Sequence, residues 1–188
     1  SFYTQLWQRL AEEGVWSGEI WNKRKSGEVY PEWVTISAVR DADGTISHYV
    51  AAFRDITERK ETEERIYRLA YFDPLTNLPN RRLLGDRIQH AIVSSQRSHE
   101  CCALFFLDID HFKLLNDTKG HDVGDRLLAD VALRLTAALR HEDTVARLGG
   151  DEFVVMLERL STDPALAAAS AALVAEKLRA VIAEPYDL

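Results

Sequence analysis

The stretch "ARLGGDEFVV", residues 146–155, places two glycines and two acids inside an apolar run rich in β-branched residues. The residues on either side have strand composition, and Gly149 and Gly150 can adopt the positive φ values that a tight turn needs. The run therefore predicts a β-hairpin with Asp151 and Glu152 at its tip. Such a tip is either a charged, solvated turn, or a site where backbone approaches a ligand and carboxylates hold a metal.

A second pair of acids follows the apolar run "CCALFFL", which is typical of a strand buried on both faces. Asp110 can be explained as the N-cap of a helix that begins at His111. Asp108 has no such explanation. A carboxylate at the end of an apolar strand costs free energy unless a positive charge compensates it. If this strand pairs beside the hairpin, Asp108 and Asp151 can hold Mg²⁺ together with phosphate oxygens, as phosphoryl or nucleotidyl transfer requires. The helix start and Lys113 offer further contacts to phosphate.

The elements around these acids divide the 188 residues into three segments. The first, to about Thr57, indicates one helix followed by an antiparallel meander of three strands, with four tryptophans in the core or on the sheet. A charged helix follows, and helices and strands alternate from Tyr71 onward. We therefore expect an α/β sandwich around a mainly antiparallel sheet, joined by a helix to the antiparallel sheet of the first segment.

Composition excludes several classes of protein. Hydrophobic residues make up 46% of the chain and charged residues 28%, which is typical of a globular protein. The net charge of -7 argues against a nucleic-acid partner, which needs a basic face. No apolar run reaches the ~20 residues that span a bilayer, and the adjacent Cys101 and Cys102 fit reduced thiols. We expect a cytoplasmic chain, whose parent protein can carry a membrane anchor outside this span.

The stretches "LDIDHFKLLNDTKGHDVGD" and "RLGGDEF" resemble the GGDEF family of bacterial diguanylate cyclases, and "DPLTNLPNRR" at 73–82 is similar to that family's N-terminal signature. The family joins two GTP molecules into cyclic di-GMP, a signalling molecule, with release of pyrophosphate. The resemblance implies a nucleotidyl-cyclase-like fold and Mg²⁺ (or Mn²⁺) as cofactor. It also implies a dimer, because each domain presents one GTP and each 3′-hydroxyl must attack the other's α-phosphate.

The resemblance further implies roles for individual residues. Asp108, Asp151, Glu152 and the Ile109 carbonyl would be metal ligands, and Glu152 could instead assist deprotonation of the attacking 3′-hydroxyl.

The resemblance assigns substrate binding to Phe112, Lys113, Asn116, Asp125, Gly149 and Gly150. Lys113 and the 110–113 backbone, which includes Phe112, would hold phosphates. Asn116 and Asp125 would bind guanine, since a carboxylate accepts from the N1–H and amino group that adenine lacks. The two glycines would let the hairpin backbone approach the nucleotide.

The sequence "RHED", from Arg140 to Asp143, lies nine residues before Gly149 and is similar to the family's RxxD inhibitory site. In the family a product dimer binds there, away from the catalytic centre. Arginine suits such a site because its fork of donors matches guanine edges and phosphates. The structural alternative is a charged helix end.

The first segment resembles the later half of a PAS domain through "WSGEIWNKRKSGEVYPEW" and "AAFRDITERK". Asp55-Ile56-Thr57 matches the junction from which PAS domains pass signals into a following helix. The resemblance implies a PAS domain at 1–57, a signalling helix at 58–70 and a GGDEF domain at 71–188, with a homodimer formed through the PAS domain and the helix. We expect both domains to be incomplete, and this span alone to have little cyclase activity.

Three functions remain open from the sequence. The first is a PAS-regulated diguanylate cyclase with product inhibition. The second is a regulatory module that binds GTP or cyclic di-GMP, because "LTNLPNRR" and "DTVARLGGDEFVV" resemble the version of the domain found upstream of EAL phosphodiesterase domains in PAS-GGDEF-EAL hybrid proteins. The third is mainly a PAS sensor and dimerising module.

Overall fold

A computed structural model of the chain describes residues 2–188. These residues form two units, one that ends at Ile66 and one that begins at Tyr67.

The first unit is a helix followed by a three-stranded antiparallel meander, as the sequence predicts. Its strands are ordered β1-β2-β3. The elements are α1 (Phe2–Glu13), β1 (Val15–Lys23), β2 (Val29–Arg40) and β3 (Ile46–Asp55). Helix α1 buries Leu6 and Leu10, which explains its helical spacing of apolar residues.

The tryptophans of this unit are more exposed than the sequence suggests. Trp7, Trp21 and Trp33 are 50%, 66% and 44% exposed, so none of these three lies in the core. The ring of Trp7 packs against that of Tyr49 on β3, with ring centres 5.5 Å apart. Trp16 lies on the face of the sheet that α1 approaches, where its ring is 6.0 Å from that of Phe2. The alternation of strand residues puts Trp21 and Trp33 on the opposite face.

Helix α2 (Thr57–Tyr71) follows β3 directly and corresponds to the predicted connecting helix. Asp55 stabilises its start, since the carboxylate accepts hydrogen bonds from the Thr57 amide at 2.9 Å and the Thr57 hydroxyl at 2.6 Å. The hydrogen bond from the Thr57 hydroxyl, followed by that from Arg24, lowers the pKa of Asp55 to about 2. The junction between sheet and helix is therefore a charged, hydrogen-bonded turn.

The second unit is a mixed α/β fold with an antiparallel sheet, again as expected. Its strands are ordered β4-β6-β5. The elements are α3 (Arg81–Ser98), β4 (Ala103–Leu107), α4 (Phe112–Lys119), α5 (His121–Ala138), β5 (Thr144–Gly149), β6 (Glu152–Leu157) and α6 (Pro164–Ala183). Leu128 and Leu135 of α5 and Leu178 of α6 pack with Phe153 of the sheet in one core. Among the helices of residues 2–188, none is both long enough and apolar enough to cross a membrane.

Two local predictions for this unit are wrong. Strand β4 is not buried on both faces, because Leu104 and Phe106, which share one face of the strand, are 42% and 77% exposed. Asp110 is not the N-cap of α4. That position is His111, which has a φ of 60° and makes no capping hydrogen bond with its side chain. Asp163 is the N-cap of α6, since its carboxylate accepts from the Ala165 amide at 2.8 Å.

The last two helices of this unit bind each other's carboxyl ends. Arg134 of α5 donates to carbonyl oxygens of Val181 and Glu184 at 3.1 and 2.7 Å, and its guanidinium lies 3.7 Å from the centre of the Tyr186 ring. Lys177 of α6 donates to the Ala138 carbonyl at 2.6 Å. Both cations therefore meet carbonyls that a helix end leaves without partners.

Candidate active site

The GGDE turn joins β5 and β6 as the predicted hairpin. Gly149 pairs with Glu152, and the register shifts between Arg147 and Gly149. Gly149 and Gly150 have φ values of 143° and 54°, a region that residues with a Cβ rarely adopt. The turn exposes Glu152 and leaves Asp151 half-buried.

The end of β4 brings a further acid to this turn. Strand β4 pairs with β6 in antiparallel register, and its last residue, Leu107, lies opposite Phe153. Asp108 therefore leaves the sheet at the end where Glu152 begins β6. Among residues 2–188, none of Asp108, Asp151 and Glu152 forms an ion pair with a protein cation.

The oxygen ligands at this end of the sheet suit a metal ion that a bound substrate also coordinates. Among residues 2–188, no three His, Cys, Asp or Glu side chains converge to hold an ion by themselves. Mg²⁺ is usually held by one or two carboxylates together with substrate phosphates, which matches carboxylates supplied by the end of β4 and by the hairpin. The Ile109 carbonyl accepts from the Phe112 amide at 3.2 Å, and its second lone pair remains.

Helices α4 and α5 bring the two predicted guanine-binding residues together. The Asn116 side chain lies against Gly124, the residue before Asp125. A Cβ on Gly124 would be only 2.0 Å from Asn116 Oδ1 and 3.2 Å from a ring carbon of Phe112. Asn116 Oδ1 is buried and has no hydrogen-bond partner among residues 2–188. Gly124 is thus required where the two helices meet.

The predicted phosphate-binding residues lie at the first turn of α4. Lys113 is exposed, whereas Phe112 packs its ring against the core of the second unit. Any contact of Phe112 with a phosphate would therefore come from its backbone.

Arg147 and Asp73 form a buried pair beneath the turn. Arg147 Nη1 donates to Asp73 Oδ1 at 2.9 Å, and the two side chains are only 10% and 16% exposed. Arg147 also donates from Nε and Nη2 to the Gly150 carbonyl, at 3.0 and 2.7 Å. Burial alone would raise the pKa of Asp73, but hydrogen bonds from Thr76 and from Arg147 outweigh it and lower that pKa.

Sequence reasoning did not identify Arg147, Asp73 or Gly124 as residues of the site. A signal existed for Arg147, because a cation inside the apolar run "TVARLGG" must find a partner if the strand is buried. Asp73 gave a weaker signal as the first residue of the quoted stretch "DPLTNLPNRR". Gly124 gave none, because its role depends on the contact between two helices.

The RxxD residues lie at the other end of β5. The Asp143 carboxylate accepts from the Arg140 amide at 3.1 Å, and the Arg140 side chain is 76% exposed. With Ser170, Leu173 and Val174 of α6, the pair lines a cavity of 260 Å³. Since a strand rises about 3.3 Å per residue, β5 separates this cavity from Gly149 by roughly 17 Å.

Comparison with known proteins identifies the family of this fold. The model of the GGDEF domain of diguanylate cyclases matches residues 70–188. The chain belongs to the GGDEF family. A PAS domain model matches residues 1–58, ahead of the GGDEF domain.

Individual relatives of this GGDEF chain agree with that assignment. The chain is 45% identical over 132 residues to the bifunctional diguanylate cyclase/cyclic di-GMP phosphodiesterase MucR of Pseudomonas aeruginosa. That match covers 70% of this chain and 18% of MucR, so the chain spans less than a fifth of that relative.

Two solved structures share the fold of the GGDEF domain. The GGDEF domain of TpbB from Pseudomonas aeruginosa has a TM-score of 0.58 at 39% identity and covers 63% of this chain and 66% of its own. The coiled coil and GGDEF domain of DgcB from Caulobacter crescentus, in complex with cyclic di-GMP, has a TM-score of 0.57 at 32% identity. That match covers 65% of this chain and 61% of the DgcB chain.

Proposed function

We propose that this chain is part of a PAS-regulated diguanylate cyclase, which condenses two GTP molecules into cyclic di-GMP and releases pyrophosphate. The observation that carries the proposal is the pairing of β4 with β6, which brings Asp108 to the turn that bears Asp151 and Glu152. Unpaired carboxylates at a turn of two glycines are a poor choice for stability alone, but they suit a site for metal and phosphate.

Asp108, Asp151, Glu152 and the Ile109 carbonyl would hold Mg²⁺ or Mn²⁺ in this proposal. The bound ion would offset negative charge on the phosphates of GTP. Glu152, which is exposed at the start of β6, could instead accept the proton of an attacking 3′-hydroxyl. Lys113 and the backbone at 110–113 would bind phosphate oxygens, and Gly149 and Gly150 would admit the nucleotide.

Asn116 and Asp125 would select guanine over adenine. Asp125 can accept from N1–H and the amino group of guanine, neither of which adenine offers on that edge. Because Asn116 Oδ1 is buried against Gly124, the amide nitrogen of Asn116 is the group left to donate to a guanine acceptor. The Asp125 acceptor and the Asn116 donor would then match the donors and the acceptor on the guanine edge.

The reaction would need a homodimer formed through the PAS domain and α2. Helix α2 has no buried residue, and Ile66 and Leu69 are 61% and 64% exposed on adjacent positions of one face. A second copy of α2 would cover this narrow apolar stripe. Hydrodynamic mass tests the pairing, since a monomer at high concentration would contradict it.

Arg140 and Asp143 would form an inhibitory site for cyclic di-GMP. The cavity beside them is lined by Arg140 and by aliphatic residues of α6, which suits an anionic ligand with flat bases. Its distance from the hairpin would separate product binding from the reacting phosphates.

The proposed cyclase is tested by incubating the full-length protein with GTP and Mg²⁺ and separating the nucleotides by chromatography. We expect cyclic di-GMP from the wild type and none from Asp151→Asn, which keeps the shape of the side chain but removes its charge. GTP that stays unconverted while it remains bound would contradict the enzymatic proposal.

A second candidate is a regulatory GGDEF module that binds GTP or cyclic di-GMP and controls an EAL phosphodiesterase domain in the same parent chain. The similarity to MucR, whose name includes both activities, favours this possibility. In that case Asp151→Asn would change the rate at which the parent protein hydrolyses cyclic di-GMP. The wild type itself would make no cyclic di-GMP.

A further inference from the structure

We propose that Arg147 is a positioning residue for the acid-bearing turn, and that Asp73 holds Arg147 in place. The turn that follows α2 would thereby set the geometry of the loop at Gly149–Glu152. The effect on turnover rests on the proposed cyclase function, but the effect on the loop itself does not.

The side chain of Arg147 joins two segments that are distant in sequence. Its Nε and Nη2 both donate to the Gly150 carbonyl, while Nη1 donates to Asp73 Oδ1 at 2.9 Å. The Arg147 backbone amide also donates to the Pro79 carbonyl at 3.0 Å. Three donors of one guanidinium thus fix the position of Gly150 relative to the turn at Asp73.

This contact matters because of the residues that it restrains. Two consecutive glycines give the turn more conformational freedom than any other pair of residues would. A peptide group is planar and trans, so a Gly150 carbonyl held by Arg147 forces the Asp151 amide to point the opposite way. The direction in which Asp151 and Glu152 leave the turn therefore depends on the Arg147 side chain.

Asp73 is itself anchored to the end of α2. The Asp73 carboxylate accepts from the Thr76 amide and hydroxyl at 2.9 and 2.7 Å. Asn80 donates from its side chain to the Ala70 carbonyl and from its amide to the Tyr71 carbonyl, both at 2.9 Å. An unbroken set of contacts thus leads from the last turn of α2 to the Gly150 carbonyl, all within the second unit.

The most direct readout is amide hydrogen exchange of residues 149–152 in the full-length protein. We expect Arg147→Gln to accelerate this exchange about tenfold, since local opening no longer breaks the contacts to the Gly150 carbonyl. Asp73→Asn, which removes the charge but keeps the shape, should act in the same direction and more weakly. Exchange at Val154 and Val155, which are fully buried in β6, should not change.

Kinetics provide the second readout. Misplacement of a reacting group by about 1 Å can lower a reaction rate about 100-fold. We therefore expect kcat of Arg147→Gln to fall about 10- to 100-fold, while its GTP affinity stays within about threefold of the wild type. Arg147→Lys should restore little of the lost kcat, because one ammonium group cannot donate to both Gly150 and Asp73 as the forked guanidinium does. Arg179→Gln is the matched control, since Arg179 is 74% exposed and pairs only with Glu176 among residues 2–188.

Three outcomes would overturn the inference. The first is unchanged amide exchange at 149–152 in folded Asp73→Asn and Arg147→Gln. The second is an exchange rate that rises equally across the whole sheet. The third is a loss of GTP affinity that accounts for all of the lost turnover. If the wild type makes no cyclic di-GMP, the cyclase proposal fails, whereas the exchange data still decide the role of Arg147. If Arg147→Gln does not fold, Asp73→Asn alone gives the answer.

Discussion

Substitution of Gly124 by alanine should weaken GTP binding through Asn116. The new Cβ would lie 2.0 Å from Asn116 Oδ1 and 3.0 Å from its Cγ, so the amide must move. A glycine-to-alanine change inside a helix normally stabilises by about 0.5–1 kcal/mol, while overpacking costs about 1–3 kcal/mol. We therefore expect Gly124→Ala to destabilise the protein by roughly 0–2.5 kcal/mol after the helix gain is subtracted.

The same variant should bind GTP about 3- to 10-fold more weakly, because a displaced Asn116 loses a hydrogen bond worth about 0.5–1.5 kcal/mol. Denaturant unfolding gives the stability and titration calorimetry gives the affinity. Gly85→Ala is the matched control, since Gly85 lies inside α3 and a Cβ there meets nothing within 4 Å. This control should be about 0.5–1 kcal/mol more stable than the wild type, with unchanged GTP affinity.

A double mutant separates the clash from other effects. In an Asn116→Ala background the clash with the amide is absent and only the 3.2 Å contact with the Phe112 ring remains. Gly124→Ala should therefore destabilise the protein less than it does in the wild type and should cost no further GTP affinity. The reasoning is refuted if Gly124→Ala in the wild type is as stabilising as Gly85→Ala and binds GTP normally.

Three further predictions follow from the described contacts. Arg134→Ala should lower the free energy of unfolding by about 2 kcal/mol, because it removes a charged donor from the carbonyls that end α6, and an undiminished denaturation midpoint would contradict this. Asp55 has a folded pKa of about 2 against an ordinary 3.8, so its contribution to stability is complete above pH 4 and is lost as pH falls towards 2. The stability difference between wild type and Asp55→Asn should therefore shrink over that interval, and a constant difference would argue against the hydrogen bonds from Thr57. Arg140→Ala should leave the initial rate of cyclic di-GMP synthesis unchanged while the final product level rises, and a plateau equal to that of the wild type would exclude inhibition at this site.

The parts of the fold that follow local rules could be predicted from the sequence. The hairpin follows from two glycines between strand-forming runs, and the start of α6 follows from Asp163 ahead of Pro164. The pairing of β4 beside the hairpin was only a condition in the sequence argument, because strand order depends on contacts between distant segments. The structure meets that condition and so brings Asp108 to the turn.

The wrong predictions concern burial and tertiary contact. The apolar composition of β4 indicates a strand covered on both faces, but composition does not specify which elements pack on each face, and Leu104 and Phe106 are exposed on one of them. His111 and not Asp110 is the N-cap of α4 because the helix begins at Phe112, one residue later than predicted, after a left-handed His111. The Arg147–Asp73 pair joins residues 74 positions apart, a separation that no local pattern encodes.

The central claim is that the acids at the adjoining ends of β4 and β6 hold the metal and the nucleotide. A crystal of the full-length protein with Mn²⁺ and a non-hydrolysable GTP analogue tests it most directly through anomalous scattering. We predict an anomalous peak within about 2–2.5 Å of carboxylate oxygens from both Asp108 and the Asp151–Glu152 turn, with the guanine base beside Asn116 and Asp125. An anomalous peak elsewhere, or a nucleotide bound away from this end of the sheet, would contradict the account.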